Sequence, residues 1–186
     1  MTRRFVIPFA LLAAACGSET GTTSDPSPLP SLAQGQAIGS AEVGRALATA
    51  RAATAKYQDV EQALADGYAP TSPCVSVPGL GGMGVHYLKP ALAGDVQVDP
   101  TQPELLLYEP QANGRLRLVA VEFFVVKAVW DGAGMTGAPT LAGVPFEGPM
   151  IHDGLPEHWD LHAWVWRENP NGMFTSFNPK VRCGAA

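Results

Sequence analysis

The sequence lacks every short motif that would identify a reaction by itself. It contains no Gly-x-Ser-x-Gly nucleophile elbow, no phosphate-binding glycine loop followed by Lys and Ser or Thr, and no Cys-x-x-Cys-His haem attachment. The His-Glu-x-x-His motif of helical zinc sites is also absent. The sequence does not decide whether two carboxyl groups form the pair used in glycoside hydrolysis, because their separation is not readable from sequence. Whether the chain is an enzyme is therefore left undecided.

Basic residues and long apolar runs are also scarce. Lys and Arg total 12 against 17 Asp and Glu, and they form no cluster. Such a surface argues against nucleic acid as a partner and against binding of anionic lipids by the folded part. The apolar segment Leu116 to Trp130 is interrupted by Arg117, Glu122 and Lys127, so it is not expected to cross a bilayer.

The N-terminus has the features of an export signal. Two arginines precede the apolar run Phe5 to Ala15, which is too short for a transmembrane helix and leads into Cys16. The string Leu12 to Cys16 resembles the lipobox of bacterial lipoproteins, although Ala13 stands where that pattern prefers Leu. We predict that residues 1–15 are a cleaved signal peptide and that lipidated Cys16 anchors an extracytoplasmic protein to the cell envelope. Ordinary secretion is the alternative.

Composition divides the mature chain into a tether and one folded domain. Residues 16–39 are dominated by Ser, Thr, Gly, Pro and Gln, which bury too little apolar surface to offset chain entropy. We predict a flexible tether there and a single globular domain over residues 40–186. In an oxidising compartment, Cys74 and Cys183 are expected to form a disulfide that contributes about 4 to 5 kcal/mol in the chain-entropy model. Ligation of a metal by these thiolates is the alternative.

Hydrophobic periodicity predicts an α+β fold. Apolar residues recur at three, four and seven positions from Ser40 to Asp66, which indicates one long amphipathic helix, bent near Thr54, that stops at Gly67. Later segments are short, rich in β-formers and separated by Gly and Pro. The pair Asn113-Gly114 is typical of a hairpin, so we expect an antiparallel sheet with the helix packed on it. The predicted strands are Val85–Leu88, Leu105–Tyr108, Leu116–Val129, Trp159–Trp166 and Met173–Phe177.

Three of these strands carry the residues with the most chemistry. Alternation along one strand places His158, Asp160 and His162 on the same face, with Trp164 and Trp166. Glu122 lies where both faces of a strand are otherwise apolar, so its carboxylate must be protonated, paired or metal-bound. His86 follows a glycine-rich stretch that allows close backbone approach.

We predict that His86, Glu122 and His162 converge as ligands of a divalent transition metal. Two imidazoles and one carboxylate suit zinc, iron or copper, with coordination positions left open. Met83 could add a thioether if the metal is copper. The segment Trp130 to Pro156 is expected to be a loop over the site. The predicted function is binding of a metal ion or small ligand between the sheet and this loop, in a lipid-anchored domain.

Structural roles for the same residues are the alternative. A strand histidine is more often a satisfied core residue, and Glu122 could pair with an arginine such as Arg115, Arg117 or Arg167. The protein would then be a non-catalytic envelope module that contacts another protein. The aromatic residues Trp159, Trp164, Trp166, Phe174 and Phe177 would be core and rim packing, or a platform for sugar or lipid. A metal-assisted hydrolase or oxygenase is a third hypothesis, with His158 or Asp160 as general base.

A set of short strings is shared with other exported proteins. They are Ala69–Cys74, Met83–Tyr87, Pro103–Tyr108, Val119–Phe123, Leu161–Trp164 and Asn178–Cys183. Through them the chain, from about Tyr57 to Cys183, resembles a group of uncharacterised secreted or lipid-anchored bacterial proteins. The resemblance implies export and a paired-cysteine domain, and it assigns no activity.

Overall fold

The computed structural model describes residues 32–152 and 154–184. The predicted signal peptide and Cys16 lie outside the described residues, as does most of the predicted tether. Helices are found at Leu32–Thr54 (α1), Val60–Ala65 (α2) and Lys127–Gly132 (α3), with a 3-10 helix at Ala55–Gln58. Strands are found at Ala69–Pro70 (β1), Val75–Val77 (β2), Gly81–Leu88 (β3), Leu105–Pro110 (β4), Leu116–Val126 (β5), Thr140–Leu141 (β6), Val144–Pro145 (β7), Glu147–Met150 (β8) and His158–Ala163 (β9). No helix in these two ranges is long and apolar enough to cross a membrane.

The helical region is interrupted, so one long amphipathic helix from Ser40 to Asp66 is not supported; the first break falls at Thr54, where a bend was expected. Thr54 ends α1 and turns its hydroxyl back to the Ala50 carbonyl oxygen at 2.7 Å. Asp59 then adopts an extended conformation and accepts a hydrogen bond from the Glu61 backbone N–H, which starts α2 afresh. Among the described residues of α1, core contacts come from its later part, around Ala46, Leu47 and Ala50.

The main sheet is antiparallel throughout, and its order is β1-β3-β4-β5-β9-β8, with β2 paired to β3. The predicted hairpin at Asn113-Gly114 joins β4 to β5, and Gly114 has φ +77°. Antiparallel sheet and helix are both present, as an α+β fold requires. Three strand predictions are wrong in part or in whole. Lys127 to Val129 begin α3 instead of extending β5, β9 ends at Ala163 before Trp164, and Met173–Phe177 forms no strand.

Both faces of the sheet are buried, but by different kinds of residue. We call the side of Leu106, Tyr108, Val121, Phe123 and Leu161 the helix face, since it packs with Ala50, Tyr57 and Ala63 of the helical region. We call the other side the site face. Its apolar residues include Leu105, Leu107, Phe124 and Trp164. Alternation along β5 and β9 also places Glu122, His158, Asp160 and His162 there.

Cys74 and Cys183 form the predicted disulfide, with their Cα atoms 5.3 Å apart. This pairing excludes the alternative in which the two thiolates bind a metal. The bond joins the start of β2 to the C-terminal segment, whose Asn178 also pairs through its backbone with Gly82 of β3. The first strands and the end of the chain therefore enclose one side of the site face.

Glycine permits the close approach that was expected before His86. Gly84 has φ +106°, and a Cβ atom built there would lie 2.6 Å from the Tyr108 carbonyl oxygen. A larger residue would push β3 away from β4. The next strand residues are therefore held tightly against β4, and this packing fixes the backbone that carries His86.

Candidate metal centre

A cavity of about 390 Å³ opens on the site face. All four histidines of the chain line it, together with the carboxylates of Glu122, Glu147 and Asp160 and the thioethers of Met83 and Met150. No lysine or arginine is among its lining residues in the part of the chain that the structure describes. Such a lining favours a positively charged occupant.

Strand register brings the three predicted ligands together. Glu122 of β5 stands directly opposite His162 of β9. His86 of β3 is two strands away, paired with Leu107 of β4, and its ring reaches across β4 toward Glu122. The ligand atoms of the three side chains all lie within 4.8 Å of one another. The predicted convergence is therefore present in the fold.

The distances in this cluster fit metal ligands better than hydrogen-bond partners. Glu122 Oε2 lies 3.5 Å from His86 Nε2 and 3.7 Å from His162 Nε2. Hydrogen bonds from nitrogen to oxygen are shorter, at about 2.7 to 3.2 Å. Two ligands at about 2.1 Å from a tetrahedral metal would lie about 3.4 Å apart. The two distances from Glu122 are therefore close to the spacing of ligands on a tetrahedral metal.

Two of the three converging atoms have no hydrogen-bond partner. Glu122 Oε2 and His162 Nε2 are buried and unpaired among the described residues. The opposite ring atoms are engaged or close to a partner: His86 Nδ1 lies 3.1 Å from the Ser72 hydroxyl, and His162 Nδ1 lies 4.0 Å from Asp160 Oδ1. Metal-binding histidines are oriented in this way, with Nδ1 toward an oxygen and Nε2 toward the ion.

Burial sets the charge of the three groups when no cation is bound. It raises the pKa of the Glu122 carboxyl well above its usual value, and the nearby Asp160 carboxylate raises that pKa further. Burial lowers the pKa of His86 to about 3, with a smaller contribution from the charge of His162. The pKa of His162 is also lowered by burial. Uncharged groups are thus favoured in the metal-free site, whereas a divalent cation would favour ionised Glu122 and imidazole lone pairs.

The remaining two histidines border the same cavity. His158 is deeply buried, and its Nδ1 donates to the Pro156 carbonyl oxygen at 2.7 Å. His152 lies at the exposed rim, where its Nε2 is 3.0 Å from the Met150 sulfur. Part of the segment predicted to be a covering loop does border the cavity, but this part includes β8.

The structural alternatives have different outcomes for Glu122 and for the tryptophans. The ion-pair partners of Glu122 among the described residues are His86 and His162, so an arginine partner is not found. Trp164 is buried and donates to the Thr175 carbonyl oxygen at 2.6 Å. Trp166 lies beneath Arg51 and donates to Thr54, away from the site face where it was predicted. These two tryptophans pack within the fold and form no exposed platform.

Sequence reasoning missed four polar residues of the cavity, among them Ser72 and Glu147; the others are Thr71 and Ser176. Ser72 approaches His86 because β1 pairs with the end of β3, which a short Pro-rich string does not reveal. Glu147 faces Asp160 across the β8–β9 pair, in a segment predicted to be a loop. Comparisons with known protein families, curated proteins and solved structures find no match to this chain. Its function must therefore be inferred from the site itself.

Proposed function

We propose that the protein is a lipid-anchored extracytoplasmic domain that binds a divalent transition metal through His86, Glu122 and His162. The proposal depends chiefly on one observation: Glu122 Oε2 and His162 Nε2 are buried without a hydrogen-bond partner at metal-ligand spacing. A buried polar atom without a partner costs about 1 to 3 kcal/mol, and a metal would satisfy both atoms at once. The predicted export signal and the disulfide support the extracytoplasmic part of the proposal.

Two imidazoles and one carboxylate leave at least one coordination position open. The cavity offers the space for water or a small ligand at that position. Zinc would act there as a Lewis acid, and iron or copper would add redox chemistry. Met83 lines the cavity and is the thioether available to copper.

The test is metal analysis of the full chain, exported through its own leader and purified in detergent without chelators. The Glu122→Gln, His162→Ala double variant is compared with the parent by elemental analysis and by zinc titration against a competing chelator. We expect the variant to lose one equivalent of bound metal. The zinc affinity of the site formed by His86, Glu122 and His162 should fall by more than the roughly 10- to 100-fold caused by loss of an outer-shell partner.

The matched control is Glu109→Gln, an equivalent change at a buried glutamate on β4 that does not line the cavity. It should keep the parent's metal content. Near-ultraviolet circular dichroism and a count of free thiols verify that each variant keeps its packed, disulfide-closed fold. Equal metal content in the parent and the folded double variant would overturn the proposal and favour an interaction module with structural histidines.

A further inference from the structure

A second pair of metal-ligand atoms lies in the same cavity, apart from the first three ligands. His158 Nε2 and Asp160 Oδ2 are 3.7 Å apart, the same spacing as His162 Nε2 and Glu122 Oε2. Both side chains line the cavity, and the two residues are only 1% and 5% exposed. Like the first cluster, this pair is too far apart for a hydrogen bond and too buried to be a solvated surface pair.

The hydrogen bonding of His158 determines which ring atom is available. The Pro156 carbonyl oxygen can only accept, so His158 Nδ1 carries a proton. In the neutral ring, Nε2 then carries a lone pair. It lies 3.7 Å from Asp160 Oδ2, which is also an acceptor. The ring is held in place against Phe124, with centroids 4.5 Å apart. Two facing acceptors repel each other unless a proton or a cation lies between them.

The Asp160 carboxylate is also incompletely hydrogen-bonded, at the oxygen that lies toward His162. Its Oδ1 atom is buried and has no hydrogen-bond partner among the described residues. An ionised carboxylate usually accepts several hydrogen bonds when it is buried, because desolvation of the charge is costly. A cation beside Asp160 would offset that cost.

The neighbouring strand places two more residues of ligand type, Glu147 and Met150, beside this pair in the lining of the cavity. Glu147 stands opposite Asp160, and Met150 stands opposite His158, across the β8–β9 pair. One oxygen of Glu147 accepts a hydrogen bond from Ser176 at 2.9 Å. With Glu122, Glu147 and Asp160, the cavity carries three carboxylates, and no lysine or arginine of the described residues lines it.

We propose that His158 and Asp160, with Glu147 from the facing strand, bind a second divalent cation, so that the cavity holds a two-metal centre. This inference deepens the proposed function, because both ions share one cavity, but it depends on different ligands. Nitrogen and carboxylate ligands suit zinc and similar borderline ions. Two cations in one cavity provide a clamp for the oxygens of a single small ligand.

The experiment counts metal equivalents in the full chain, purified in detergent and stripped of metal with a chelator. Zinc is added in calorimetric titrations, and bound zinc is measured by elemental analysis after desalting. Parent protein is compared with His158→Gln, Glu122→Gln and the double variant. Asp160 is left unchanged, because it also lies beside His162 and would affect both positions.

We expect two equivalents in the parent, one in each single variant and none in the double variant. Glu109→Gln, a change at a buried carboxylate outside the cavity, is the control and should keep two. One equivalent in the parent that survives His158→Gln but not Glu122→Gln would overturn the second position and leave the proposed function intact. If the parent binds one equivalent that is lost in His158→Gln but kept in Glu122→Gln, the second position is supported and the first is contradicted.

A parent that binds no zinc would overturn both positions. If His158→Gln fails to fold, Glu147→Gln replaces it, since that side chain lies at an exposed strand position. Glu147→Gln should lower the affinity for the second zinc equivalent at least tenfold and leave the affinity for the first unchanged. Two equivalents of unchanged affinity in Glu147→Gln would then overturn the assignment of that residue, and with it the proposed ligand set.

Discussion

The two faces of the sheet are equally buried but differ in how completely their residues are satisfied. On the helix face, Val121 and Phe123 of β5 meet Leu161 of β9 in a wholly apolar contact region. On the site face, the same two strands carry Glu122 and His162, each with a buried atom that lacks a hydrogen-bond partner. Burial alone therefore does not distinguish core from site. Buried atoms without a partner are concentrated on the site face, where Glu122, Asp160 and His162 each have one, whereas Trp159 Nε1 is such an atom beside the helix-face core.

This difference indicates a division of roles within one sheet. Apolar burial contributes about 25 cal/mol per Å², so the helix face stabilises the fold. Each unpaired polar atom on the site face costs about 1 to 3 kcal/mol in the metal-free protein. The helix face must therefore offset the cost of the site face until a metal binds. Changes on the two faces should have opposite consequences for stability and for binding.

The largest effect is expected from a cavity on the helix face. Phe123→Ala removes a fully buried ring and should lower the free energy of unfolding by about 3 to 5 kcal/mol, measured by urea denaturation with a chelator present. Zinc affinity of the folded variant should change little. The comparison on the site face is Glu122→Gln, which should cost less than about 1 kcal/mol without metal, since the raised pKa of Glu122 favours a neutral carboxyl. Equal destabilisation by both changes would remove the distinction between the faces.

The buried carboxyl of Glu104 should make the free energy of unfolding depend on pH. Burial raises the pKa of Glu104 to about 8, although the Phe124 backbone N–H donates to its Oε2 at 3.0 Å and lowers that pKa. Between about pH 4.5 and 8 the folded state therefore binds more protons than the unfolded state. The stability contribution of Glu104 is present below pH 4.5 and is lost as the pH rises to 8.

We expect Glu104→Gln to remove this loss, because the amide oxygen can still accept from Phe124. From pH 4.5 to 8, the free energy of unfolding of the parent should fall relative to that of the variant by on the order of 3 kcal/mol. Urea denaturation across this range, with a chelator present, measures it. Parallel stability curves for the two proteins would contradict the assigned pKa of Glu104.

The sequence allowed the proposed ligands on β5 and β9 to be predicted because the period of a strand is two, whereas Glu147 was missed. Alternation in β9 assigned His158, Asp160 and His162 to one face, and the apolar neighbours of Glu122 indicated burial. The register that sets Glu122 opposite His162 was not predictable, since it depends on the connection between β5 and β9. A hairpin turn fixes register locally, but this connection contains α3 and three further strands.

The errors of the sequence analysis have local causes. Periodicity continues through Thr54 and Asp59, whose side chains instead hydrogen-bond to the backbone and divide the helix. The β-forming residues after Val126 predict a longer strand. Instead, Lys127 pairs with Asp131 one turn later, and these residues form α3. Ser72 had no signal at all, because its contact with His86 arises only from the pairing of β1 with β3.

The smallest effect is expected where a hydroxyl orients a ligand without touching the metal. A metal at His86 Nε2 requires that Nδ1 carries the proton and donates to Ser72 Oγ, 3.1 Å away. Ser72→Ala should therefore weaken zinc binding about tenfold at the His86 position, with little change in unfolding free energy. Ser72→Thr keeps the hydroxyl and should restore affinity, and Ser76→Ala on exposed β2 should have no effect. If Ser72→Ala lowers stability but leaves zinc affinity unchanged, the hydroxyl serves the fold of the site face and the difference between the two faces is smaller than argued.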